Sequence, residues 1–327
     1  MSTLQTFASL AVAVVALGGC GAAFDGRATR MEAEAEARFP PIGRIVEVDG
    51  RPVHVLVEGQ GPDLVIIHGA GGNLRDYTFD FVDRVKDRYR VIVFDRPGHG
   101  FTAQTDPAYE AAFTRLAEGP EEQAAFLAKA AAQIGVRDPI VMGQSFGGAV
   151  ALAWALNHDP AAVVVVSGVS HPWPGGLGPS YVIGGSAIGG AAVVPVVAAF
   201  PPNGSVDAIL ARIFAPQAVP EGYADHFGVP LSLRRSTLRA NTRQVNTLRP
   251  HIVRMSERYP TLDLPVEIVH GTEDQIVPLA IHSEPLAERV PGANLLRLEG
   301  VGHMPHHADP KAVIAAIDRA AARAGLR

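Results

Sequence analysis

The chain has 327 residues, enough for one large domain with an insertion. Apolar residues make up 47% against 19% charged, with a mean hydropathy of +0.15, which excludes an intrinsically disordered chain and leaves room for apolar surface. The formal net charge is −5 and no basic stripe is present, so no nucleic-acid partner is expected.

Residues 1–24 carry no charged side chain, and the run from Phe7 to Leu17 is apolar. The single cysteine, Cys20, follows it, so no intramolecular disulfide can form. Leu17-Gly18-Gly19-Cys20 resembles the lipobox of bacterial lipoproteins, although residues 1–6 lack a basic side chain. That resemblance implies cleavage before Cys20, its lipidation, and an exported protein held at a membrane. An uncleaved anchor is the alternative, because the stretch is nearly long enough to span a bilayer. An incidental apolar start is the third reading. Residues 25–41 are alanine- and glutamate-rich and end at Pro40-Pro41; they are expected to form a tether or short helix, with Glu32, Glu34 and Glu36 as a solvated face.

From residue 42 strand-like and helix-like runs alternate. Arg44–Val48 and Val53–Val57 have period-2 character around the turn Asp49-Gly50, which predicts a hairpin. Short β-branched runs follow at Leu64–Ile67, Val91–Phe94, Ile140–Met142, Val163–Val166, Val266–Val269 and Leu295–Leu298. Helical patterns cover Glu121–Gly135, which follows Pro120, and then Phe146–Asn157 and Pro310–Ala324. The alternation predicts an α/β fold: a mostly parallel central sheet flanked by helices, formed by residues 42–170 and 261–327.

Residues 171–260 contain no clear strand, and so long an unstructured loop would be unusual, which predicts a helical cap inserted after the sixth strand. From Pro172 to Val206 this segment has no charged residue. Buried helices lining an apolar pocket are the favoured reading, because Pro195, Pro201 and Pro202 interrupt any spanning helix; a patch dipping into lipid is the other.

The chemistry concentrates in three places. Gly143-Gln144-Ser145-Phe146-Gly147 lies between a strand and a helix, where a serine on a sharp turn lifts its Oγ clear of the sheet. The serine needs a base, and the base an orienting acid. Asp274, in a turn directly after the strand Val266–Val269, is the acid candidate, with Glu273 as its rival. His303, in Gly302-His303 past the last strand, is the base. The oxyanion needs two backbone N–H groups, expected from Phe146 and from Ala70 in the loop His68-Gly69-Ala70-Gly71-Gly72-Asn73. This loop lacks the ending of a phosphate-binding loop, and no cofactor is implied. His306 and His307 invite a metal reading, but H-x-x-H-H spacing with Pro305 inside does not hold two ligands on one helical face, so no metal site is expected. His99, in Asp95-Arg96-Pro97-Gly98-His99-Gly100, reads as structural.

Together, the His68-Gly69 loop, the Asp95–Gly100 turn, the Ser145 elbow, the Asp274 turn and the Gly302-His303 loop resemble the α/β-hydrolase superfamily over about residues 43–325. The resemblance implies an α/β-hydrolase fold and triad chemistry on Ser145, Asp274 and His303. Haloalkane dehalogenases and epoxide hydrolases are similar but use aspartate at the elbow. Carbon–carbon bond hydrolases usually have tryptophan after the catalytic histidine, where Met304 stands here. The default expectation is therefore hydrolysis of a small apolar ester. A carbon–carbon hydrolase, a perhydrolase or haloperoxidase relative, a membrane-lipid hydrolase and a non-catalytic binding protein are the alternatives.

Overall fold

The computed structural model describes residues 24–202 and 204–327, so the apolar leader with Cys20 lies outside the described residues. Eight strands form one sheet: β1 (Arg44–Val48), β2 (Arg51–Glu58), β3 (Asp63–Ile67), β4 (Arg90–Phe94), β5 (Ile140–Gln144), β6 (Ala162–Val166), β7 (Val266–Gly271) and β8 (Asn294–Leu298). Their order is β1-β2-β4-β3-β5-β6-β7-β8, with β2 antiparallel to β1 and β4 and the rest parallel. Asp49 and Gly50 both have positive φ, 51° and 74°, the conformation a two-residue hairpin turn requires.

β3, β5, β6 and β7 are buried along their whole lengths, and side chains alternate between the two faces. Val65, Ile67, Val163 and Val165 pack against the helices Pro120–Gln133 and Phe146–Asn157. Leu64, Ile66, Val164 and Val166 face the other layer, where Tyr77, Phe81 and Val85 join Val313 and Ile317 of the helix Pro310–Arg323. The parallel strands all end on one edge of the sheet, and the loops there carry the residues singled out above.

Between β6 and β7 the chain is helical, ending in the long helix Arg235–Arg258. Leu248, Ile252 and Met255 of that helix belong to the main core, so the insertion is seated on the sheet layer. Its uncharged first part departs from the expectation of buried lining. Val182, Ile183, Ile188, Val193, Val196 and Phe200 are exposed, because these short helices have only one side against Arg235–Arg258.

A helix runs over residues 24–38 and buries Ala28 and Ala35 at helical spacing. The reading of its glutamates as a solvated face holds for the exposed Glu34 and Glu36 and is corrected for Glu32, which is partly buried. Glu32 bonds the Arg235 guanidinium, and Glu36 lies 2.8 Å from Arg234, so carboxylates and guanidiniums fasten this helix to the start of the long insertion helix.

Candidate active site

Ser145 sits between β5 and the helix Phe146–Asn157 with φ 54° and ψ −119°. A non-glycine residue in such a region costs about 1–3 kcal/mol and persists only where its surroundings hold it. Here the Ser145 N–H donates to the Val166 carbonyl, and its own carbonyl accepts from Gly148 and Val169, each at 3.0 Å. The elbow's glycines follow from close approach. A Cβ at Gly143 would overlap the Gly147 carbonyl, and one at Gly147 the carbonyls of Ile67 and His68.

Asp274 and His303 arrive from the ends of β7 and β8. His303 Nδ1 lies 2.7 Å from Asp274 Oδ2, while the other carboxylate oxygen accepts from the amides of Ile276 and Val277, both at 2.9 Å. His270, wholly buried, places Nε2 at 3.2 Å from Asp274 and 2.8 Å from the Val277 carbonyl. Burial raises the Asp274 pKa, but the hydrogen bonds from His270 and His303 outweigh it and hold the carboxyl well below the usual carboxylate range. Glu273, the rival acid, is exposed. The link to the serine runs through Gln144, whose Nε2 donates to the His303 carbonyl at 3.0 Å. The residue before Ser145 thus grips the backbone of the histidine. Asp274 and His303 are brought together, and the His303 loop is tied to the elbow.

The loop at Ala70 also lies against the elbow: a Cβ on Gly69 would crowd Gln144 and Ser145. Its neighbouring amides are already used, Gly71 N–H by Asn241 Oδ1 at 2.7 Å and Gly72 N–H by the Gly69 carbonyl at 3.3 Å. Phe146 is the first residue of its helix, where an N–H has no intrahelical acceptor.

Arg96 has no sequence signal beyond its place in the Asp95–Gly100 turn. It is fully buried, and its guanidinium donates to the Gly69 carbonyl at 3.1 Å, Gln123 at 3.1 Å and Gln244 at 2.5 Å. The guanidinium carbon also lies 4.0 Å from the centroid of the Phe146 ring. One buried cation therefore braces the Ala70 loop and Phe146 together. Burial pulls its pKa down to about 9, which leaves it charged at neutral pH. The Asp95 carboxylate shapes the same turn, accepting from the amides of Leu74 at 2.7 Å and Phe101 at 3.0 Å and facing His54 Nδ1 at 2.6 Å. His99 is buried, with Nδ1 at 3.0 Å from the Pro97 carbonyl.

The spacing objection to His306 and His307 does not hold in three dimensions. The short helix Pro305–Ala308 presents both rings to Asp76, with Nε2 atoms 3.2 and 2.8 Å from its oxygens, and these groups lie within 4.8 Å of one another. They nevertheless suit hydrogen bonding better than an ion. The Tyr223 hydroxyl also donates to Asp76 at 2.8 Å, so both carboxylate oxygens are engaged. An ion on His306 Nε2 would leave the Nδ1–H buried, and that atom has no acceptor. The trio fastens the insertion, through Tyr223, to the loop that carries His303.

Among the described residues no helix is long and apolar enough to cross a membrane. The chain is 28% identical over 266 residues to the pimeloyl-[acyl-carrier protein] methyl ester esterase of Aromatoleum aromaticum, covering 76% of this chain and 94% of that protein. It is 36% identical over 128 residues to the dihydrolipoyllysine-residue acetyltransferase component of the acetoin cleaving system of Cupriavidus necator, of which it spans only 31%. Among solved structures, a bacterial membrane phospholipase A superposes with a TM-score of 0.67 at 20% identity, covering 96% of this chain and 99% of that one. The alpha/beta hydrolase family matches residues 64–316, and the chain belongs to that family and is a hydrolase.

Proposed function

We propose that this hydrolase is a serine carboxylesterase that works through an acyl-enzyme. Ser145 Oγ attacks the ester carbonyl while His303 takes its proton. Asp274 steadies the imidazolium that forms, and the N–H groups of Phe146 and Ala70 receive the developing oxyanion. The alcohol leaves with the proton from His303; water then attacks the acyl-enzyme with His303 again as base, releasing the acid and Ser145. The reading rests most on the 2.7 Å contact of His303 with a carboxylate that backbone amides fix in place, on a loop tied to the strained serine turn. The name of the Aromatoleum relative supports ester chemistry. The expected result for Ser145→Ala is loss of p-nitrophenyl ester hydrolysis by at least about a thousandfold. An unchanged rate overturns the assignment.

We further propose acyl esters held in a membrane as substrates, with the protein anchored there through its leader and Cys20. The uncharged leader supports this, as does the likeness to a membrane phospholipase A. Long-chain esters in vesicles should then turn over faster than short soluble ones. A preference for short soluble esters that vesicles do not alter removes this part and leaves the esterase reading intact.

A further inference from the structure

The uncharged stretch of the insertion has two unlike sides. Through its consecutive turns Ile188, Ala192, Val196 and Phe200 recur every four residues and all face outward, Ile188 at 76% exposure and Phe200 at 49%. Between them Gly189, Gly190, Val194, Ala198 and Ala199 are buried. Ile183 and Val193 widen the exposed strip. The outer side of a surface helix ordinarily carries charge, and single exposed apolar residues need no account. A contiguous strip in an uncharged segment marks a surface made to meet something apolar.

The N-terminal helix points to what that is. It begins on the strip, with the Phe24 ring edge-on to Phe200 at 5.6 Å and Ala28 packed with Ala198 and Ala199. Arg27 donates to the Ala199 carbonyl at 2.7 Å and stacks over Phe200 at 4.7 Å, which puts an exposed cation at the strip's border. The uncharged residues 1–23 therefore join the protein beside the exposed apolar strip. The helical run that carries the strip spans residues 187–199, too few to cross a bilayer. An apolar face bordered by arginine suits the plane where acyl chains meet phosphate headgroups.

We propose that this strip, with Ile188, Val193, Val196 and Phe200 as anchors and Arg27 among the headgroups, docks the insertion onto a lipid bilayer. Docking would hold the insertion, and the sheet edge beneath it, at the lipid surface. The proposal does not depend on the chemistry at Ser145.

The test uses the full-length protein reconstituted with phosphatidylcholine–phosphatidylglycerol vesicles whose acyl chains carry bromine near the headgroup. A tryptophan is placed by Ile188→Trp, and separately by Asp87→Trp at the opposite edge of the sheet. Against the constant background of Trp154 and Trp173, bromine should quench the added emission at 188 at least about twofold and leave that at 87 unchanged. Adding Val196→Asp and Phe200→Asp to Ile188→Trp should abolish the quenching. Adding Ser145→Ala should leave it as it was, which separates docking from catalysis. Equal quenching at 188 and 87, failure to float with vesicles, or cross-linking of two copies through position 188 without quenching would each overturn the proposal.

Discussion

Two uncharged runs of this chain, residues 143–157 at the elbow and 172–206 in the insertion, sit in opposite environments. At the carboxyl edge of the sheet small residues are confined, since a side chain at Gly143, Gly147 or Gly148 would overlap the backbone of a neighbouring element. Early in the insertion, Gly175, Gly176 and Gly178 meet nothing within 4 Å, and large apolar side chains stand outward. Absence of charge thus has two physical meanings, close packing in one place and an apolar exterior in the other. What separates them is the set of fixed polar partners. The sheet edge holds Asp274, His270, Gln144 and Arg96 in bonded positions, and such groups are costly to bury unless they are paired.

Of the bonded groups at the sheet edge, Asp274 carries the largest expected effect. Asp274→Asn should lower kcat by about 10⁴-fold with the fold retained by circular dichroism, because the imidazole loses its orienting charge. A loss under tenfold would make that carboxylate merely structural. Next comes Arg96→Lys, which keeps the charge but loses the planar fork joining the Gly69 carbonyl to Phe146. It should reduce kcat by about 10–100-fold with little change in KM. A rise in KM alone would remove Arg96 from the bracing of the two amides.

Glu118 tests the buried network through pH. Burial pushes its carboxyl up to about 7, well above the ordinary 4.5, and one of its oxygens has no partner. A group raised in the folded state gives stability that is complete below its unfolded pKa and lost as pH rises through the folded value. Urea unfolding of the parent should therefore weaken between about pH 4.5 and 7, by roughly 3 kcal/mol, relative to Glu118→Gln. Parallel curves would contradict this. The smallest effect is expected at Glu36→Ala. The half-exposed pair with Arg234 should contribute about 1 kcal/mol or less, and a larger loss would make the helix over residues 24–38 integral to the core.

The sheet was legible because buried parallel strands are short, β-branched and bounded by turn residues; all eight appear within one or two residues of their expected bounds. The meeting of Asp274 and His303 was legible because each lies in a turn just past a strand that ends on the same edge. Arg96 and Asn241 were not, since their importance lies in partners 27 to 170 residues away that no local pattern announces. The insertion was legible as helix but not in its orientation. A run without charge does not state which of its sides meets the core, and the residues that do so here are small ones at Gly189, Gly190, Ala198 and Ala199.

The proposed esterase chemistry requires an acyl group to bond covalently to the serine at the elbow. Peptide mass spectrometry after treatment with an alkyl fluorophosphonate tests this most directly. It should find one phosphonyl adduct, on the peptide containing Ser145, absent from Ser145→Ala and formed at least about a hundredfold more slowly in His303→Ala. An adduct on a different serine, or ester turnover that continues with Ser145 unmodified, would contradict it.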